Sequence, residues 1–243
     1  MRVPPGVHRA PLGDGDLAVL TLAGRARWHW LNATTERVWA AALDGSVPTL
    51  VDELRAEGMD GPIETIAEQA VAHLTATGLL TESGAGTNRI PPPLPALTRP
   101  VPGATPAEPP LRLRLLASTG LLLALALMRL PLRTRMALLR ATRPLPPAAG
   151  RRAAAVHAAV LRIRPGWWPG RIACMEVSLA TVVALALSGR RAHWVLGARH
   201  CPSEAHAWVW TPDGATGLSG RDIDDPRRPW TAVAATPPVH PHE

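Results

Sequence analysis

Two residues in the C-terminal half, Cys174 and His206, are the types that nucleophilic chemistry needs. Cys174 follows a Pro-Gly turn and begins an apolar stretch that predicts a helix to about Leu187. At a helix N-terminus, unpaired backbone N–H groups and the helix dipole favour an anion, which lowers the pKa of a thiol. His206 opens the strand-like segment HAWVW. The pattern predicts a pair in which imidazole takes the proton and the thiolate attacks a carbonyl.

The other thiol, Cys201, precedes His206 by five positions and does not have a helix-start position, so we interpret it as structural. Two candidate ligands do not make a zinc site, and the sequence contains neither CxxC nor HExxH. It also contains no GxxxxGK[ST] motif and no dinucleotide fingerprint. We therefore predict no metal and no cofactor.

Helical and strand patterns surround this pair. Leu113 to Leu139 predicts a helix that Pro131 breaks or kinks, Arg151 to Leu161 predicts another, and Ala192 to Ala198 predicts a strand. The first of these contains a charge-free run of fourteen residues between Arg114 and Arg129. A spanning helix needs about 20 apolar residues. The run predicts a buried helix, with peripheral membrane contact as the minor alternative.

Composition divides the 243 residues into two units. Residues 83–110 are rich in proline and predict a semi-rigid linker between an N-terminal unit, 1–82, and a C-terminal unit, 111–243. The first 82 residues carry a net charge of −5 and the remainder +12. Twelve arginines and no carboxylate lie between Glu108 and Glu176, which would attract acidic peptide, anionic lipid or nucleic acid, or simply form a solvated face. The absence of a signal-like run at the N-terminus favours a cytoplasmic protein.

The N-terminal unit predicts strands followed by three helices. Asp16 to Ala23 and Arg25 to Leu31 are predicted strands, and Ala33 to Leu43, Thr49 to Glu57 and Pro62 to Thr77 are predicted helices. The order suggests a winged-helix-like module, and the whole chain is expected to be α+β. Because this unit is net negative, it lacks the cations that neutralise phosphates, and we predict no nucleic-acid partner.

The segments LNATTERVWAAALDG, TLVDELRAEG and TGLL resemble the precursor-recognition domain of enzymes that modify ribosomal peptides, the family typified by the pyrroloquinoline quinone biosynthesis chaperone. The resemblance covers about residues 5–82. It implies that an unfolded leader peptide is added as a strand to the sheet edge, in a groove shared with the third helix.

The exposed edge would be the strand from Arg25 to Leu31. Trp28 and Trp30 would lie on one face, where they could wall an apolar pocket, and Arg27 and His29 on the other, where Arg27 could meet a leader carboxylate. We predict these four residues as the leader-binding set. The alternative is that both tryptophans are ordinary core.

The C-terminal segments CMEVSLATVVALALSGRRAHWVLGAR and HAWVW resemble the leader peptidase of lasso-peptide biosynthesis, the B protein, a transglutaminase-like cysteine protease. The resemblance covers about residues 111–235 and implies that Cys174 is the nucleophile and His206 the base. The family usually completes the triad with an acid about a dozen residues after the histidine, where this chain has Leu218 or Ser219. Asp222 is the nearest downstream acid and the candidate orienting residue.

These features together predict a cysteine peptidase that removes the leader from a ribosomally made precursor. The resemblance further implies a partner, an asparagine-synthetase-like cyclase. The missing acid motivates an alternative, a non-catalytic carrier that delivers precursor to the cyclase. A transglutaminase or amidase that uses the same Cys and His is a third possibility.

Overall fold

A computed structural model describes residues 1–13, 15–82, 84–101, 108–165, 173–200, 202–218 and 228–238. The chain divides into two compact units, Met1–Pro93 and Leu94–Glu243. Each unit has its own sheet and its own helices, so each is described by itself.

Three antiparallel strands form the N-terminal sheet in the order β1 (Val7–Gly13), β2 (Asp16–Thr21) and β3 (Arg27–Leu31). The sequence patterns predicted the second and third strands and missed β1. Pro11 explains the omission, because proline removes a ladder donor and is tolerated only at sheet edges and bulges. It lies on an edge strand, next to a register shift.

Three helices follow the sheet: α1 (Ala33–Asp44), α2 (Val47–Ala56) and α3 (Ile63–Ala76). The side chain of Asn32 accepts the N–H of Thr35 at 2.9 Å and caps the start of α1. Apolar side chains from the sheet, from α1 and from the end of α3 share one core, which includes Leu17, Trp39 and Leu74. The predicted order of strands followed by three helices is confirmed.

Four helices precede the C-terminal sheet: α4 (Leu111–Leu127), α5 (Leu132–Arg140), α6 (Gly150–Ile163) and α7 (Cys174–Leu187). Pro131 immediately precedes α5 and divides the predicted Leu113–Leu139 helix in two, because proline cannot supply the interior N–H. No helix in the described part of the chain combines the length and the apolar character that a bilayer crossing requires.

Helix α7 is the centre of the C-terminal unit, and most of its residues are buried. It packs against α4, α6 and β5. At Gly120 of α4, an added Cβ would lie 2.7 Å from the carbonyl oxygen of Ala180, so glycine permits this close approach. The buried indole N–H of Trp194 donates to Oγ of Ser178 at 2.9 Å, which fixes α7 to the sheet.

The C-terminal sheet is antiparallel and has the order β6 (Gly214–Thr216), β5 (Glu204–Thr211), β4 (His193–Arg199) and β7 (Thr231–Thr236). The predicted strand at Ala192–Ala198 corresponds to β4, and HAWVW lies within β5. The sequence patterns missed β7, because TAVAAT has no alternation of apolar and polar residues that marks a half-buried strand.

The boundary between the two compact units, at Pro93 and Leu94, lies inside the segment that the sequence predicts as a linker, residues 83–110. Thr87 exchanges backbone hydrogen bonds with Val3 and belongs to the N-terminal unit. Leu97 is buried in the C-terminal core, and its carbonyl accepts the indole N–H of Trp208 at 2.9 Å. The described residues of this segment form no helix, and Leu97 shows that such an irregular backbone can pack by using its carbonyls as acceptors.

Candidate active site

Cys174 is the first residue of α7, as the sequence predicted, and it is partly exposed. The preceding residue, Ala173, has no side-chain oxygen to cap the helix, and its own N–H donates to Glu176 at 2.9 Å. The N–H groups of the first helical turn are therefore available to another acceptor. The sulfur accepts one of them, the N–H of Met175, and also the N–H of Ala207 in β5.

The structure brings Cys174 and His206 together. Helix α7 packs directly on β5, and the side chains of the two residues form a hydrogen bond. Nε2 of His206 lies 2.8 Å from the carbonyl oxygen of Gly217. A carbonyl only accepts, so Nε2 carries a proton and donates it, and Nδ1 is the ring nitrogen that remains for the thiol.

The electrostatics of the pair favour charge separation. Burial raises the pKa of the Cys174 thiol, but the hydrogen bond and positive charge of His206, with the two backbone N–H groups, outweigh burial and lower it below the ordinary value. Burial lowers the pKa of His206, but its hydrogen bonds to Cys174 and Gly217 outweigh burial and raise it. The thiolate and the imidazolium therefore stabilise each other, which is what an activated cysteine nucleophile requires.

Two tryptophans hold the imidazole of His206. The ring of Trp208 is stacked on the imidazole, with ring centroids 6.3 Å apart. The ring of Trp230 is tilted against the imidazole, with ring centroids 5.1 Å apart. The guanidinium of Arg199 lies 4.5 Å from the centroid of Trp230 and forms an ion pair with Glu204. Arg199 opposes protonation of His206, and Glu204 partly compensates the arginine charge. The sequence analysis did not single out Trp230, because its flanking residues give no strand signal.

A second histidine, His157 of α6, lies beside this centre. Burial, and secondarily the charge of His206, lower the pKa of His157 to about 4, so its ring is neutral at pH 7. Thr181 donates its hydroxyl proton to the carbonyl of Val177 and so accepts a hydrogen bond from Nδ1 of His157 at 3.3 Å. His157 is not among the residues predicted from the sequence, because a histidine in an Ala-rich helix carries no signal of a site.

Residues 116–229 match the family model of the transglutaminase-like superfamily. The C-terminal unit contains a transglutaminase-like domain. The match includes Cys174, His206 and Gly217, and it supports a fold of the cysteine-peptidase type. Searches of the curated proteins and of the solved structures found no match.

Two residues from the sequence predictions lie outside the described residues: Asp222, the candidate orienting acid, and Cys201, the thiol interpreted as structural. Asp213 is described, and its carboxylate accepts the N–H of Gly150 at 2.6 Å, so it caps α6 and does not contact His206. Among the described residues, no three of His, Cys, Asp and Glu lie together in a way that could hold a metal ion.

The four predicted leader-binding residues lie in β3, an edge strand with which no further strand pairs in the described ranges. Arg27 is exposed, and Trp28 and Trp30 lie on one face with ring centroids 6.1 Å apart. His29 is half-buried, and its pKa is lowered by burial and then by His73 of α3 and by Arg27. The two tryptophans are only partly buried and do not belong to the core that surrounds Trp39.

Proposed function

We propose that the protein is a cysteine peptidase that binds a ribosomally synthesised precursor and removes its leader during lasso-peptide maturation. The observation that carries the proposal is the Cys174–His206 hydrogen bond at the start of α7, which lowers the pKa of the thiol. The resemblance to the lasso-peptide B proteins supplies the substrate class. That resemblance alone also suggests an asparagine-synthetase-like cyclase as a partner.

The arrangement supports a two-step hydrolysis. The Cys174 thiolate attacks the scissile carbonyl carbon, and His206 transfers its proton to the leaving amine as the C–N bond breaks, which leaves a thioester. The imidazole then takes a proton from water, the hydroxide attacks the thioester, and the thiolate is released with a free carboxylate. The same two side chains act in both steps.

The edge strand β3 supports leader binding by strand addition. Its outer edge, with which no described strand pairs, offers main-chain hydrogen bonds, and the two tryptophans offer an apolar surface for a leader side chain. Nε2 of His29 and the indole N–H of Trp30 are buried and have no hydrogen-bond partner among the described residues. Buried polar groups without partners are costly, and a bound peptide could supply the missing acceptors.

The carrier alternative was motivated by the missing acid. The carbonyl of Gly217 accepts a hydrogen bond from Nε2 of His206, so the histidine has a hydrogen-bond partner that is not a carboxylate. This contact supports the peptidase over the carrier. The Cys174–His206 geometry is equally compatible with a transglutaminase or amidase, and the products distinguish these enzymes from a peptidase.

The test is incubation with the cognate precursor peptide, followed by mass spectrometry. Wild type should release the leader, whereas Cys174→Ala should release none and His206→Ala should be slower by a factor of about 10² to 10⁴. Cys201→Ala is the matched control and should cleave normally. Binding without cleavage by wild type would support the carrier, and unchanged cleavage by Cys174→Ala would refute the assigned nucleophile.

A further inference from the structure

The imidazole of His206 has a main-chain hydrogen-bond partner in addition to Cys174. After the turn at residues 212–213, β6 pairs with the end of β5, and the chain then reaches Gly217, eleven positions after His206. This is the stretch where the resemblance places an acid. Nε2 of His206 donates to the carbonyl oxygen of Gly217 at 2.8 Å. This contact uses Nε2, so the hydrogen bond between His206 and Cys174 is left to Nδ1.

Two features fix the conformation of Gly217. Its φ of +90° lies in the region that residues with a side chain rarely adopt. An added Cβ would lie 2.9 Å from Cε1 of His157 and 3.4 Å from its Nε2, so the ring of His157 lies directly on the glycine α-carbon. The ring is in turn held by the hydrogen bond from its Nδ1 to Thr181.

We propose that the main-chain carbonyl of Gly217 positions the His206 imidazole, and that His157 is a positioning residue which holds this carbonyl in place by packing on Gly217. The inference rests on the proposed function, since His206 needs a fixed orientation only if it acts on Cys174. It assigns to a peptide carbonyl the role that a carboxylate has in a Ser-His-Asp triad.

The properties of the two groups suit this role. A carbonyl is only an acceptor, so it selects the tautomer with the proton on Nε2 and leaves Nδ1 free to accept the thiol proton. His157 is neutral at pH 7, so it adds no charge that would repel the imidazolium of His206. A neutral acceptor stabilises the imidazolium less than a carboxylate would, because a carboxylate also carries a negative charge that favours the protonated ring.

The first test compares two substitutions of His157 by the rate at which iodoacetamide alkylates Cys174, mapped by mass spectrometry from pH 5 to 10. His157→Phe keeps a ring against Gly217 and should retain the wild-type pH profile. His157→Ala removes the ring and should reduce the rate at pH 7 about tenfold, as expected for loss of one hydrogen bond to a charged group. A purely structural role would lower stability without changing the profile. Equal profiles for the two variants would overturn the role of His157.

The second test weakens the carbonyl without changing a side chain. Replacing Leu218 by its α-hydroxy analogue converts the Gly217–Leu218 amide to an ester, whose carbonyl is a poorer acceptor. The same exchange at Thr216 is the control, because it weakens the carbonyl of Ala215, which accepts from Val101 at 3.0 Å. Only the ester at Leu218 should shift the alkylation profile to higher pH. The same shift in both esters, or in neither, would overturn the role of Gly217.

The tautomer of His206 gives an independent measurement. In Cys174→Ala no thiol competes for the ring, and ¹⁵N NMR of the neutral imidazole should show the proton on Nε2. A proton on Nδ1 would overturn the proposal. Alkylation and NMR need no precursor, so a protein with the expected profile and tautomer that fails to release a leader would refute the proposed function and leave the positioning intact.

Discussion

Acid should destabilise the C-terminal unit through His157. The unfolded chain takes up a proton on this ring near pH 6.5, whereas the folded protein does so only near pH 4, because burial disfavours the charged form. Between these values the unfolded state binds more protons, so the free energy of unfolding falls as the pH falls. One pKa unit corresponds to about 1.4 kcal/mol, so the loss approaches about 3 kcal/mol at pH 4 and below.

The assay is urea unfolding of wild type and His157→Phe at several values between pH 7.5 and 4, followed by hydrogen exchange of peptides from α6 and α7. The substitution changes one titratable side chain, so the difference in unfolding free energy between the two proteins reports mainly on His157. As the pH falls from 7.5 to 4, the unfolding free energy of the variant should rise by about 3 kcal/mol relative to that of wild type. Parallel pH curves for wild type and His157→Phe would refute the buried, neutral imidazole.

Three further substitutions test other contacts. Gly197→Ala should destabilise the C-terminal sheet by about 3 kcal/mol or more in urea unfolding, since a Cβ there would lie 2.2 Å from an indole. Ser178→Ala should cost about 1 to 3 kcal/mol, because it leaves the buried indole N–H of Trp194 without its acceptor. Arg27→Glu should weaken leader binding, measured by fluorescence anisotropy, by a factor of about five, with Arg25→Glu as the control. A larger effect of Arg25→Glu would contradict the predicted edge.

Local sequence signals predicted most of the elements. Asn32 and Gly45 lie at the two ends of α1, where a side-chain oxygen caps the start and a left-handed glycine ends the helix. Pro131 divides α4 from α5 for an equally local reason, the missing N–H. The sequence also placed Cys174 at the first position of α7 and His206 in a strand. These features depend on residue types within a few positions of one another.

The rest of the site depends on long-range packing. The contact from Gly217 to His206 involves a carbonyl, a group that every residue has, so no residue type signals it. His157 reaches the site because α6 and α7 pack together, a contact across 24 positions to Thr181. Sequence patterns pointed only to carboxylates for the third catalytic position, and the candidate, Asp222, lies outside the described residues. The stretch where the resemblance expects an acid does contain one hydrogen-bond partner of His206, the carbonyl of Gly217.

The central claim is that His206 makes Cys174 a nucleophile, and the most direct measurement is the pH dependence of Cys174 alkylation in wild type and His206→Ala. In wild type, alkylation should rise with a midpoint below the ordinary value for cysteine. His206→Ala removes the main interaction that lowers the pKa of the thiol and leaves burial, which raises it. The alkylation midpoint should therefore move to higher pH. Coincident midpoints would show that the imidazole does not activate the thiol.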